Sequence, residues 1–365
     1  MFMKPHSIPA GFLPIQDAED MEMALPWPWK TDRCVVVAEI GINHNRDPEL
    51  AAEMIDAAAE AGADAVKFQT FVPEESAADD APLTEDQKGR VQGSMLEMVR
   101  SFCLDPVHWP MLRTRAESCG VEFFSTPFDI PSLDRLVRLG VRVIKVPSGE
   151  IVNLPLLRAI AGTGLPVVMS TGMCELAEVG RAVRELEAAD GGPIALLHCT
   201  SAYPARANEL NLRAMGTLAS TFGLPVGFSD HSVGCEAAIA AVALGARIVE
   251  KHFTLDKSLP GPDHPASATP EEFADLVRAI RRTESALGTG EKKPVERELA
   301  VRAVVRRSLF FRRPLACGTR ITPDDLVAMR PGGGFSVERI DEVIGKTLLV
   351  DVGAHEALAP EKVGI

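Results

Sequence analysis

Between residues 34 and 288 one pattern recurs eight times: a short apolar run, then a segment with helical spacing. The runs fall at 34–38, 65–68, 121–124, 141–146, 166–169, 194–198, 226–231 and 247–253. Helices are predicted at 48–61, 106–119, 130–139, 154–161, 174–188, 210–222, 234–244 and 270–287, several closed by glycine (Gly62, Gly120, Gly140). Runs this apolar suit strands buried on both faces. Strand, crossover helix, strand forces neighbouring strands to be parallel. Eight such units over ~250 residues match an α/β fold of the (β/α)8 TIM-barrel type. A doubly wound open sheet is the alternative, but no Gly-x-Gly-x-x-Gly turn accompanies the strands.

The rest of the chain reads differently. Residues 1–33 are rich in Pro, Met and acids, and Pro26-Trp27-Pro28-Trp29 cannot be interior helix; we read an N-terminal arm. Residues 71–104 form a long polar excursion, the kind that carries function or oligomer contacts. Residues 34–288 are assigned to the barrel and 289–301, beginning Thr-Gly-Glu, to a linker. Residues 302–365 are read as a small β-rich domain with runs at 308–311, 318–321, 327–331 and 347–350.

Composition narrows the partners. Lys plus Arg number 38 against 51 Asp plus Glu, a net charge of −13. An acidic chain without basic clusters argues against nucleic acid, and an anionic substrate would need locally positive side chains or a metal ion. No apolar run is long enough to span a membrane. The N-terminus shows no secretory signal. Seven scattered cysteines without a C-x-x-C pair favour reduced thiols and a cytoplasmic location.

In a barrel the chemistry sits where strands end. The predicted ends present Glu39, His44, Lys67, Gln69, Ser125, Thr126, Lys145, Ser148, Glu150, Ser170, Thr171, His198, Ser201, Tyr203, Ser229, His231, Glu250 and His252. Ser125, Thr126, Ser170 and Thr171 could equally be helix caps. Lys67 and Lys145, placed straight after apolar runs, call for an anion, either phosphate or carboxylate from a ligand or an internal acid. His198 could be a satisfied core residue. His231 and His252 end consecutive parallel strands ~4.8 Å apart. That spacing lets both imidazoles reach one metal at ~2.0–2.2 Å, leaving positions for water and substrate oxygens.

Eight motifs in chain order resemble the sialic acid (nonulosonate) synthase family. They are Glu39-Ile40-Gly41-Ile42-Asn43-His44, Lys67-Phe68-Gln69-Thr70, Ser125-Thr126-Pro127-Phe128, Pro147-Ser148-Gly149-Glu150, Ser170-Thr171-Gly172-Met173, His198-Cys199-Thr200, Ser229-Asp230-His231 and Pro260-Gly261-Pro262-Asp263. In the tail, Met329-Arg330-Pro331-Gly332 resembles the antifreeze-like SAF domain. The resemblance implies condensation of phosphoenolpyruvate with an N-acetylmannosamine-type aldose to a nine-carbon 2-keto acid, N-acetylneuraminate or N,N'-diacetyllegionaminate. It implies a divalent metal, manganese with magnesium or cobalt as alternatives, on His231 and His252. It assigns phosphoenolpyruvate to Lys67, Thr126, Lys145, Ser170 and Ser229, and the sugar to Glu39, Gln69, Tyr203 and Asp263. Ser148 and Ser201 are further candidates for substrate contact, and Glu39, Lys145 and Glu150 for catalysis. Arg330 is implied to reach a partner's barrel, making a domain-swapped homodimer.

Departures bear on the sugar. Ser201-Ala202-Tyr203 stands where neuraminate synthases commonly carry Asn-Ile-Tyr, and Phe68 where some members have His. With Asp263-His264-Pro265, these look closer to synthases of legionaminate-type sugars. Two other functions are weighed: a metal-dependent barrel aldolase that does not use phosphoenolpyruvate, and a non-catalytic carbohydrate-binding protein.

Overall fold

The structure, a computed structural model, describes residues 31, 33–84, 87–91, 93–188 and 191–365. The expected N-terminal arm lies almost wholly outside the described residues. The chain divides into two compact units, Met1–Gly288 and Thr289–Ile365.

In the first unit eight parallel strands close on themselves in chain order. They are β1 (Val35–Gly41), β2 (Ala65–Thr70), β3 (Glu122–Pro127), β4 (Ile144–Val146), β5 (Val167–Ser170), β6 (Ile194–Cys199), β7 (Val226–Asp230) and β8 (Ile248–His252). β1 pairs with β8, with Glu39 beside His252, and this closes the barrel. Between and after the strands run α1 (Pro48–Glu60), α2 (Trp109–Ser118), α3 (Ile130–Leu139), α4 (Leu154–Ala161), α5 (Leu176–Glu187), α6 (Ala214–Phe222), α7 (Glu236–Ala243) and α8 (Pro270–Leu287). Local chemistry explains their limits. Asp47 and Asn153 cap α1 and α4 through their side chains, each with Pro in the first turn. Gly140 ends α3 at φ 81°, a conformation that favours glycine.

Some boundaries differ from expectation. β4 spans three residues rather than the six of 141–146, because Arg142 turns out to solvent and ion-pairs with Glu122. The segment Pro106–His108 opens as a 3-10 turn before α2. The excursion 71–104 is not all loop: Met95–Phe102 is a helix, opened by a reciprocal cap between Ser94 and Glu97. That S-x-x-E signature is in the sequence.

Residue alternation divides the barrel into an inside and an outside. Val35, Val37, Ala65, Phe124, Val143, Val168, Ala195, Leu197 and Ile248 form one cluster that fills the interior. The intervening residues, such as Val36, Val66 and Phe228, belong to the larger layer shared with the helices. Among the described residues no helix is long and apolar enough to cross a membrane.

The second unit is small. β9 (Ser308–Phe311) pairs antiparallel with β10 (Leu326–Met329) over a core that includes Leu309, Phe311, Ile321, Leu326 and Leu348. The expected runs 318–321 and 347–350 lie side by side, joined by the Arg320–Thr347 bridge and by hydrogen bonds from the Gly318 N–H to the Leu348 carbonyl and from the Leu348 N–H to the Thr319 carbonyl, but do not form strands. The helix Glu296–Val305 runs across the boundary expected at 301.

Candidate active site

The inner face continues upward past the apolar plug. Two residues beyond Val37 comes Glu39; beyond Ala65 come Lys67 and Gln69. Thr126 follows Phe124, Lys145 follows Val143, Ser170 follows Val168, and Glu250 and His252 follow Ile248. Period-two alternation alone therefore sends one or more polar side chains per strand into the same space. They line a cavity of about 510 Å³ at the C-terminal ends of the strands. All fourteen expected site residues of the barrel line it, including Ser148, Glu150, Ser201, Tyr203 and Asp263. Arg330 belongs to the second unit, where its Nε donates to the Val305 carbonyl at 2.9 Å.

The floor is a buried charge network. Lys67 Nζ lies 2.7 Å from Glu39 Oε2 and 3.9 Å from Glu250 Oε2, and donates to Thr126 Oγ1 at 3.3 Å. Lys145 Nζ donates to Ser170 Oγ at 2.6 Å and lies 3.7 Å from Glu250 Oε1. Ser229 donates to the same carboxylate at 2.9 Å, and Gln69 Nε2 donates to Glu39 Oε1 at 3.1 Å. Thr126 and Ser170 thus serve the lysines rather than capping helices. Ser125 bonds Thr70 at 2.7 Å and Thr171 donates to the Leu197 carbonyl, both inside the wall.

The two carboxylates are pushed apart. Burial raises Glu39 above the ordinary carboxylate range, and Lys67 only partly opposes this. Burial also works to raise Glu250, but Lys145 and Lys67 outweigh it and hold it at about 2. The two carboxylates thus sit in unequal environments, the arrangement that separates acid from base roles. Lys145 is lowered, chiefly by burial.

The imidazoles of His231 and His252 face one another with ring centroids 5.7 Å apart. His231 Nδ1 is 2.7 Å from the Thr200 carbonyl, which can only accept, so the ring proton belongs on Nδ1. Nε2 then keeps its lone pair. Its neighbour, Ser229 Oγ at 3.3 Å, directs its hydrogen to Glu250. Burial pushes His231 down to about 3 and lowers His252 as well, so both rings are neutral and able to bind a cation. His252 Nδ1 is buried with no hydrogen-bond partner among the described residues; Asp263 Oδ2 is 3.9 Å away. These donors fit a divalent ion. Among the described residues no group of three His, Cys, Asp or Glu side chains gathers there, so the protein alone supplies an open shell.

The other candidates divide by environment. His198 Nε2 bonds the Leu210 carbonyl at 2.6 Å and belongs to the wall. His44 Nδ1 accepts from the Arg46 N–H at 3.0 Å, away from the cavity. Glu150 lines the cavity side and accepts from Asn153 Nδ2 at 2.7 Å. Tyr203 packs on His231 with centroids 4.2 Å apart. Ser148 Oγ accepts from the Gly172 N–H at 2.8 Å. Two of the departures do not line the cavity. Phe68 points outward and packs between Trp109 and Phe123, and His264 is buried against Thr254. Glu250, the hub of both lysines, was not singled out as a site residue. Its position two before His252 on one strand was the available signal. The side of the cavity from Phe71 to Phe102 was missed because its residues lie in the excursion.

Fold and cavity together define a (β/α)8-barrel enzyme whose strand ends hold paired lysines and paired carboxylates beside two imidazoles. The sequence matches the NeuB family over residues 54–292 and the SAF domain over 306–364, so the chain belongs to the NeuB family of synthases and carries a C-terminal SAF domain. Members of this family are generally metal-dependent. The chain is 46% identical to the N,N'-diacetyllegionaminic acid synthase of Legionella pneumophila over 90% of this chain and 94% of that one. It is 42% identical to the Campylobacter jejuni protein of the same name, over 86% and 95%. A solved N-acetylneuraminic acid synthetase from Leptospira borgpetersenii, in complex with citrate, superposes with a TM-score of 0.66 at 38% identity, over 74% of this chain and 90% of that one.

Proposed function

We propose that this enzyme condenses phosphoenolpyruvate with the open-chain aldehyde of an N-acetylated mannosamine-type sugar, releasing phosphate and forming a nine-carbon 2-keto acid. The observation that carries the reading is the pair of buried lysines, Lys67 and Lys145, sharing Glu250 on the cavity floor. Beside them the Thr126, Ser170 and Ser229 hydroxyls line the same cavity, and lysines with hydroxyls suit a small phosphorylated acid. The synthase names of the relatives support the same reaction class.

In this reading Lys67, Lys145, Thr126, Ser170 and Ser229 receive the phosphate and carboxylate of phosphoenolpyruvate. Gln69, Tyr203 and Asp263 position the sugar, with Ser148 and Ser201 on the flank. Carbon three of phosphoenolpyruvate attacks the aldehyde carbon, and Glu39 gives its proton to the aldehyde oxygen. Water adds at carbon two, Glu150 takes the proton it sheds, and the tetrahedral adduct expels phosphate. His231 and His252 would hold a divalent ion, manganese with magnesium or cobalt as alternatives. When bound, that ion supplies Lewis-acid polarisation of the aldehyde oxygen. Arg330 of one copy completes the sugar site of a second, in a domain-swapped homodimer, and the seven free thiols suit the cytoplasm. An aldolase without phosphoenolpyruvate, or a carbohydrate-binding protein, gives the two lysines no role beyond their pairing with Glu39 and Glu250.

The test is phosphate release measured with phosphoenolpyruvate and a panel of N-acetylated aldoses, before and after chelation. Release should require both substrates and should stop when divalent metal is stripped. Release without an aldose, or undiminished turnover in chelator, would overturn the reading.

A further inference from the structure

Two buried charged residues have no part in the chemistry above. Asp230 and Lys251 are the last register pair between β7 and β8. Strand alternation turns both away from the cavity: Ser229, His231, Glu250 and His252 line it, and Asp230 and Lys251 do not. They follow Phe228 and Val249 by two residues, and so stand in the layer shared by barrel and helices. Lys251 is 5% exposed and Asp230 1%. Taking two charges out of water is costly, so well-packed apolar side chains of that size would serve stability as well or better.

What the pair supplies is a constraint. Lys251 Nζ donates to Asp230 Oδ2 and to the Ser232 carbonyl, each at 2.8 Å. Asp230 Oδ1 accepts from the Ser232 N–H at 2.9 Å and from its hydroxyl at 2.6 Å. One ammonium group of β8 therefore holds both chain neighbours of His231. β7 and its pairing with β8 end at Asp230, one residue short of His231. From the other side the Ala205 N–H donates to the His231 carbonyl at 2.9 Å, and the Thr200 carbonyl holds the ring. Lys251 immediately precedes His252. Its bonds thus connect, past the end of the ladder, the two segments that carry the imidazoles. Two ligands that must each reach an ion at ~2.0–2.2 Å leave little room for either ring to drift.

We propose that Asp230 and Lys251 are positioning residues for the metal site, setting the spacing of His231 and His252 from outside the cavity. The inference rests on the divalent ion of the function proposed above and adds two residues that never touch it. Loss of groups that orient metal ligands from behind typically lowers metal affinity by ~10–100-fold.

The experiment measures Mn2+ binding to the metal-free, full-length enzyme without substrates, from the loss of the free ion's electron paramagnetic resonance signal. The double variant Asp230→Asn, Lys251→Met removes both charges, keeps an acceptor for Ser232 and nearly preserves volume. Its Kd for Mn2+ should rise about 10- to 100-fold. Its metal-free melting temperature should stay close to the wild type's, because removing a buried pair whole costs little. Asp230→Asn alone keeps the Lys251 bond to the Ser232 carbonyl and carries the test where the double variant fails to fold; it should raise the Kd in the same direction. Asp64→Asn, which breaks the 2.6 Å ion pair with Arg281 at the opposite end of the barrel, should leave the Kd unchanged. A Kd that neither variant of the pair moves, or that Asp64→Asn moves equally, would overturn the positioning role while leaving the metal site intact. A wild-type enzyme that binds no Mn2+ would overturn both.

Discussion

Glu39 and Glu250 lie on neighbouring strands, are both buried and share Lys67, yet their carboxyls are shifted in opposite directions. The difference is the count of cations: Glu250 has both lysines and the Ser229 hydroxyl, whereas Glu39 has one lysine and an amide. Glu39→Gln keeps the shape and removes the transferable proton. It should lower kcat by about 10²- to 10⁴-fold with little change in the KM for phosphoenolpyruvate, as steady-state kinetics would show. A comparable rise in that KM would instead make Glu39 a ligand for the anion. Gly172 illustrates a different constraint. A Cβ there would come within 2.4 Å of Ser201 Oγ and 2.9 Å of Cys199 Sγ, so the loop after β5 can approach β6 only without a side chain.

At the scale of elements, Asp129 joins two of them. Its Oδ1 accepts from the Ser132 N–H at the start of α3, and its Oδ2 accepts from the Val72 N–H where the excursion begins. Asp129→Ala removes a helix cap, worth ~0.5–2 kcal/mol, and strands a part-buried N–H, worth ~1–3 kcal/mol. We expect a loss of about 2–4 kcal/mol in urea unfolding, larger than a surface cap would give. Sugar binding should also weaken, because the excursion lines one side of the cavity. An unchanged midpoint would mean that Asp129 anchors neither element.

Across the whole molecule, stability should depend on acid in a specific direction. Burial holds His44 and His264 neutral, each pushed down to about 4. The unfolded chain binds these protons near pH ~6.5, so between there and about 4 it holds more protons than the folded chain. Stability is therefore full above ~6.5 and falls as the pH drops. For His44 alone the loss from pH 7 to pH 5 is about 2 kcal/mol. Urea midpoints of wild type and His44→Asn should converge by that amount on acidification; parallel curves would exclude His44 as a source. The two-unit chain makes one further prediction. Arg330→Ala should raise the KM for the aldose and spare that for phosphoenolpyruvate, whereas equal losses would contradict a sugar-contacting role.

The eight-unit barrel was legible in the chain because burial on both faces demands continuous apolar runs, and crossover geometry leaves parallel neighbours as the outcome. The strand-end polar residues were legible for the same reason: strand period two sends Lys67, Thr126, Lys145 and Ser170 inward whatever the neighbours are. What only the tertiary structure decided was pairing across strands. That Glu250 binds both lysines, that Phe68 faces the helices while Gln69 faces the cavity, and that Met98 of a remote helix closes the site all depend on which residues closure brings together. Sequence spacing carries no distance between strands, and the electrostatics that distinguish Glu39 from Glu250 arise from those distances alone.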